Sequence, residues 1–206
     1  MDFNSIADKL LLFHIDEQLT QKAHSEIAPY RNSTISDIQI LNAKKAGVLL
    51  LVHPNNDKAH FTLIERSSYD GVHSRQISLP GGKVENQDID ISATALREAH
   101  EEVNINPKDV EIISQLSNIY VPPSNFYITP ILGLSRKRPD YIPEKKEVNK
   151  ILEIPILDLL SLNVLQQTKV TISKNMSFPT PYLNLQDKVV WGATAIILNE
   201  LRHFLK

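Results

Sequence analysis

Apolar residues recur along this chain with two different spacings, and these predict where helices and strands fall. Phe3, Ile6, Leu10 and Phe13 share one face at helical spacing, which predicts an amphipathic helix over residues 1–20. Residues 27–40 mix Pro29 with polar clusters and predict a loop with a short strand or turn. Residues 45–52 (KAGVLLLV) form an unbroken apolar run containing β-branched positions, the pattern of a buried strand. His53-Pro54-Asn55-Asn56-Asp57 supplies the turn that ends it, and residues 61–65 its hairpin partner. Residues 66–82 are too polar and turn-rich for one element, although 76–79 predict a short strand delivering a glycine pair. Residues 90–103 contain no helix breaker and are rich in Ala, Leu and Glu, which predicts a helix. Further strands are predicted over 110–119 and 127–134, joined through Pro122-Pro123-Ser124-Asn125. After a charged loop over 139–150, residues 151–160 predict a strand end entering a short helix. Two short β pieces are predicted within 170–182, and a C-terminal helix over 191–205. No repeat or linker interrupts this order, so the chain reads as one α/β domain over 1–206, with helices around a mixed sheet and residues 1–44 as an N-terminal helical extension.

Composition narrows the function classes. The chain has 206 residues, 42% of them hydrophobic, enough for one sizeable core. A formal net charge of −2 offers no bulk attraction to nucleic acid or to a membrane surface, so neither is an expected partner. The absence of cysteine excludes disulfides and thiol catalysis and is compatible with a cytoplasmic location. No apolar run approaches the ~20 residues of a membrane helix. The first residues carry acidic side chains and lack the basic start of a signal peptide. A homodimer is left open.

The chemistry concentrates in the 90–103 helix. At about 100° per residue, Glu98, Glu101 and Glu102 fall within roughly a third of its circumference. Leu96, Ala99 and Val103 point the other way and suit a core. Like charges at this spacing cost a few tenths of a kcal/mol each, so a bare acidic face is either solvated or neutralised by a bound cation. Hard carboxylate oxygens suit Mg²⁺ or Mn²⁺, which share substrate phosphates as ligands. Pro80-Gly81-Gly82 lies about fifteen residues upstream of Arg97, and a glycine pair there allows backbone to approach a metal or a phosphate closely.

Gly82, followed by Arg97-Glu98-Ala99-His100-Glu101-Glu102-Val103, resembles the signature of the Nudix hydrolases, which cleave diphosphates linked to another moiety. The matching box spans about 81–105. Asp88 stands where the signature has its first Glu, with eight residues rather than seven before Arg97, and Asn104 replaces the final Gly. Asn is the next-best residue for a left-handed helix cap. The resemblance implies a Nudix α/β/α sandwich and a metal held by Glu98, Glu101 and Glu102, with the Gly82 carbonyl completing the shell. It also implies that Arg97 orients a box carboxylate. The general base stays open between Glu98 and a distal carboxylate such as Glu147, whose loop could close over the site. Glu147 also reads as an ordinary solvated residue. His100 faces away from the carboxylates and reads as structural.

Substrate must be read outside the box. Arg66-Ser67, His73, Gln76 and the run into Pro80-Gly81-Gly82 resemble the upstream motif of the coenzyme A diphosphatase subfamily. Thr94-Ala95-Leu96, Tyr127-Ile128-Thr129-Pro130, Glu153-Ile154-Pro155 and Trp191-Gly192-Ala193-Thr194-Ala195 extend the match over about residues 45–200. The implied substrate is coenzyme A or an acyl-CoA, cut to 3′,5′-ADP and (acyl-)4′-phosphopantetheine. Arg66, Ser67, His73, Arg75, Gln76 and Gly81 are then candidate substrate contacts, the two guanidinium groups because they grip phosphate bidentately. Arg66 equally suits a pair with a carboxylate at the core edge, and His73 a turn cap. Arg75 stands where the subfamily has Gly, which leaves open another nucleoside diphosphate derivative, such as ADP-ribose, a dinucleotide or a damaged nucleotide. A Nudix-fold sensor that binds without hydrolysis is a further reading, disfavoured by three intact box carboxylates.

Overall fold

The computed structural model describes residues 1–29, 35–67, 76–173 and 176–206. Its elements run α1 (Phe3–Leu11), α2 (Glu17–Ile27), α3 (Asp37–Asn42), β1 (Lys44–Asn55), β2 (Lys58–Arg66), β3 (Ile77–Ser78), β4 (Gly81–Lys83), α4 (Ile91–Val103), β5 (Glu111–Gln115), β6 (Ile119–Val121) and β7 (Phe126–Leu134). They continue with β8 (Val148–Pro155), α5 (Ile156–Leu160), β9 (Leu165–Ser173), β10 (Met176–Leu185), β11 (Lys188–Val190) and α6 (Gly192–Leu205). The expected α/β architecture with a mixed central sheet is present. β1 runs parallel to β7 and antiparallel to β2. Helices cover both faces, because strand residues alternate between two cores. Leu50, Val52, Phe61 and Leu63 pack towards α1 and α6, whereas Leu49, Leu51 and Ile64 pack beneath Ala95, Ala99 and Val103 of α4. No helix of the described residues is long and apolar enough to cross a membrane.

The feature that positions the site is a splay between β1 and β2. The two strands pair only next to their turn, from Val52↔Phe61 to Asn55↔Lys58. Beyond that they diverge, and the segment from β3 to β4 fills the wedge. Ile77 and Ser78 pair with β2, while Gly81–Lys83 pairs with β1. Leu49 donates its N–H to the Pro80 carbonyl at 2.8 Å, which ties the point of the wedge to β1.

Several boundaries differ from those expected. The helix expected over 1–20 is two helices. α1 closes at Leu11, and the Asp16 side chain accepts from the Leu19 N–H to start α2. Phe13, expected on the same helical face, instead meets Phe204 edge-on at 4.7 Å. Residues 27–40 were expected to hold a short strand or turn, yet α3 begins there, nucleated by a reciprocal capping box between Ser36 and Gln39. β1 continues through His53 and Pro54 to Asn55, and the turn is the pair Asn56-Asp57, both at positive φ. The strand expected over 110–119 is broken into β5 and β6, and β8 starts at Val148 inside the stretch read as loop. The two short pieces within 170–182 are parts of the longer β9–β10 hairpin. Asn104 does cap α4 with a left-handed φ of 62°.

Candidate active site

α4 starts where the Asp90 carboxylate accepts from the Ala93 N–H at 2.7 Å, and its length carries the three box carboxylates across the wedge. They are not equivalent. Glu102 is 2% exposed, Glu98 15% and Glu101 57%. Periodicity placed all three on one solvent-facing arc, but the wedge segment covers the Glu102 edge of that arc. The Gly81 N–H donates to Glu102 Oε2 at 2.9 Å, and Arg66 Nη1 at the end of β2 stands 3.4 Å from Glu102 Oε1. That second oxygen is buried and accepts no hydrogen bond from the described residues. Desolvation raises the Glu102 carboxyl to about 7, against the pull of Arg66 and the Gly81 N–H. The charges of Glu98 and Glu147 push it the same way as burial.

The glycine pair is a steric requirement here. Gly81 sits at φ 152°, where a Cβ would lie 2.5 Å from the Gly47 carbonyl oxygen. A Cβ on Gly82 would lie 2.4 Å from Glu98 Oε2, so the bare backbone is what lets the Glu98 carboxylate rest against β4. Desolvation also raises the Glu98 carboxyl, and Glu101 and Glu147 add to it, while Arg97 opposes.

Arg97 is the clamp of the arrangement. Its Nε donates to Asp88 Oδ1 at 2.9 Å and its Nη2 to Asp88 Oδ2 at 3.1 Å. Nη1 lies 3.0 Å from both Glu98 Oε1 and Glu101 Oε2, and Nη2 also donates to the Lys83 carbonyl. Asp88 is completed by the Thr94 hydroxyl and the Glu85 N–H. The Arg97 hydrogen bonds, chief among these partners, hold the Asp88 carboxyl far below the ordinary range. Asp88 therefore fixes Arg97, and Arg97 fixes Glu98, a role missing from the candidate set. The only sequence signal was its place as substitute for the first signature Glu, since a nine-residue separation carries no helical phase.

The remaining candidates divide cleanly. Ser67 donates its N–H to the Glu147 carbonyl at 2.8 Å and its hydroxyl to the Lys145 carbonyl at 3.2 Å, so β2 is stitched to the loop that carries Glu147. The Gln76 carbonyl accepts from the Arg66 N–H at 3.0 Å. His73 and Arg75 lie outside the described residues. His100 is exposed, on the side of α4 away from the wedge. Among the described residues, no three carboxylate or imidazole groups stand close enough to hold a metal ion as they are. Glu101 is drawn instead to Arg97.

A family profile of the NUDIX domain matches residues 43–169. The chain is 34% identical over 167 residues to the Uncharacterized Nudix hydrolase NudL of Enterobacter sp. (strain 638), covering 79% of this chain and 83% of the relative. The chain belongs to the Nudix hydrolase family. The NudL protein of Photorhabdus laumondii is 33% identical over 160 residues, 78% of this Nudix chain and 84% of that one. Among solved structures, a C. elegans Ap4A hydrolase binary complex matches 57% of this chain and 83% of its own, at a TM-score of 0.47 and 21% identity. The NUDIX domain of Shewanella oneidensis NrtR, complexed with ADP ribose, matches 61% and 87% at a TM-score of 0.46 and 15% identity. As a member of this family the chain is a Nudix pyrophosphohydrolase.

Proposed function

We propose that this Nudix hydrolase cleaves the diphosphate of coenzyme A or an acyl-CoA to 3′,5′-ADP and (acyl-)4′-phosphopantetheine. The observation that carries the reading is the placement of Arg66 beside Glu102. This arginine opens the subfamily-like motif that ends in Gly81-Gly82, and it stands 3.4 Å from a buried box carboxylate. This contact is the core-edge carboxylate pair that the sequence also allowed for Arg66, and it supports one shared site because it sets the start of the motif against the acidic helix.

Nudix hydrolases generally use divalent ions such as Mg²⁺ or Mn²⁺. The residues of this chain fit one. Glu102 Oε1 is a buried acceptor without a hydrogen bond, Glu98 is pressed onto the Gly82 backbone, and all donors are hard oxygens. Glu98, Glu102 and the Gly82 carbonyl would hold it, with Glu101 joining if it leaves Arg97. When bound, the cation would supply charge neutralisation on the diphosphate and acidify the attacking water. The protein's own groups do the rest. Arg97, anchored by Asp88, holds the Glu98 carboxylate in place. Arg66 orients the substrate, and either Glu98 or Glu147 takes the proton of the water. That water forms one new P–O bond as the bridging P–O bond breaks, so positioning and electrostatics dominate.

The test is a panel of CoA, acyl-CoA, ADP-ribose, NADH and dinucleoside polyphosphates with Mg²⁺ or Mn²⁺, products resolved. CoA should show the highest kcat/KM and yield 3′,5′-ADP; a preference for ADP-ribose would overturn the substrate while sparing the family. Arg75 favours that second reading, because the CoA subfamily has Gly there. If Arg75 grips phosphate, Arg75→Gly and Arg75→Ala should each lower CoA turnover about ten- to a hundredfold, the equivalent of a charge-assisted hydrogen bond. A rise in both variants would favour the alternative substrates.

A further inference from the structure

Glu147 lies in the stretch read from the sequence as a charged loop over 139–150, and the segment 136–147 ahead of β8 is fastened along its length. Asn104 Nδ2 donates to the Asp140 carbonyl at 2.8 Å. The Ile142 N–H reaches the Val103 carbonyl, and the Glu144 N–H the Glu102 carbonyl at 2.9 Å. The side-chain anchor is Tyr141. Its hydroxyl lies 2.6 Å from Thr62 Oγ1 and 3.0 Å from His53 Nε2, under the sheet face that α4 covers.

The direction of this chain of bonds follows from its end. His53 Nδ1 lies 3.1 Å from the Pro54 carbonyl, which can only accept, so Nδ1 carries the proton. Burial holds His53 neutral, with its pKa lowered to about 4. Nε2 is therefore an acceptor, Tyr141 donates to it, and Thr62 donates to Tyr141. Each group has one role, and replacing the hydroxyl leaves a donor and an acceptor without partners on either side.

We propose that Tyr141 is a positioning residue for the diphosphatase reaction: locked between Thr62 and His53, it fixes segment 136–147 so that Glu147 faces Glu98 and Glu102. The stitching of Ser67 to Glu147 and Lys145 places that end of the segment beside Arg66. The Glu144 N–H bond to the Glu102 carbonyl holds the same end of the segment against α4. The inference rests on the reading of Glu147 as a group of the reaction.

The experiment is a double-mutant cycle on the full chain, with Mg²⁺ and CoA or whichever panel substrate is turned over best. Tyr141→Phe should lower kcat about tenfold or more while KM stays within about twofold, since small misplacements of a reacting group are costly. In a Glu147→Gln background the same substitution should lower kcat no further. Thr62→Val, which leaves the Tyr141–His53 bond in place, should show a smaller kcat loss that also vanishes in that background. It carries the test if Tyr141→Phe does not fold. Multiplicative losses in the double variant would overturn the proposal, as would unchanged kcat in Tyr141→Phe when Glu147→Gln is impaired. Unchanged kcat in Glu147→Gln alone would instead remove Glu147 from the reaction, and the proposal with it.

Discussion

Two glutamates of this protein are each 2% exposed, and they are buried for opposite purposes. Glu200 on α6 accepts from the Ser117 N–H at 3.1 Å and the Ser117 hydroxyl at 3.0 Å, and it meets His24 Nε2 of α2 at 2.9 Å. Nearby, Glu26 faces His203 and Asn199, and these contacts hold its carboxyl low in spite of desolvation. That network fastens α2 to α6 and gives both carboxylates partners. Glu102 has one N–H donor, a guanidinium at 3.4 Å, and an oxygen with no hydrogen bond. A buried charge so poorly met costs stability, and the cation of the proposed site would complete it. Satisfaction, rather than burial, separates the structural acid from the site acid.

The largest expected effect comes from neutralising the box carboxylates. Glu102→Gln and Glu98→Gln should each lower kcat by about a hundredfold or more. Glu102→Gln should leave Tm unchanged or raised, because a desolvated charge is removed. Steady-state kinetics and thermal unfolding of the same preparations check both halves.

Much of the fold was legible in the sequence, though only where the signals are local. α4 could be read because Asp90, the helix-forming run and Asn104 all point the same way. β1, β2 and β7 could be read from their apolar runs, and β8 only as a strand end. α3 was missed because its capping box, Ser36 with Gln39, serves only six residues, none of them buried, so no apolar period announces it. The break between α1 and α2 was hidden because Phe13 keeps helical phase with Leu10 while packing from a turn. Inequality among the box carboxylates was illegible. Period alone gives Glu98, Glu101 and Glu102 one face, and the wedge that buries Glu102 is a tertiary feature. Tyr141 bonds to partners 79 and 88 residues away, a separation no pattern encodes.

At Glu200 the prediction is reversed. Glu200→Gln should cost roughly 1–3 kcal/mol of unfolding free energy, because the His24 and Ser117 contacts lose their charged acceptor. Activity per folded molecule should stay within about twofold. A denaturant titration paired with an assay reads this directly, and a loss of turnover without a loss of stability would place Glu200 with the site acids.

A pH-dependent effect comes from His53, a buried group whose Nε2 accepts from Tyr141 only while neutral and stands 4.0 Å from Glu153 Oε2. Its folded pKa, about 4, lies below the unfolded value of 6.5, so the unfolded chain takes up the proton first. Stability should therefore fall as pH drops from about 6.5 towards 4, by up to about 1.4 kcal/mol per unit, and this contribution levels off below the folded pKa. Protonation also ends the capacity of Nε2 to accept from Tyr141. Unfolding titrations of wild type and Tyr141→Phe across that window should show a shallower pH slope in the variant, whose Nε2 has no donor to lose.

The most direct test of the central claim is Mn²⁺ binding itself, measured by calorimetry or electron paramagnetic resonance without substrate. The account predicts that wild type binds Mn²⁺ and gains Tm with it. Glu102→Gln and Glu98→Gln should bind at least about tenfold more weakly and lose most of the gain, while Glu200→Gln should retain wild-type affinity. Equal Mn²⁺ affinity in Glu102→Gln and wild type would contradict it, since the unsatisfied buried carboxylate would then have no part in holding the cation.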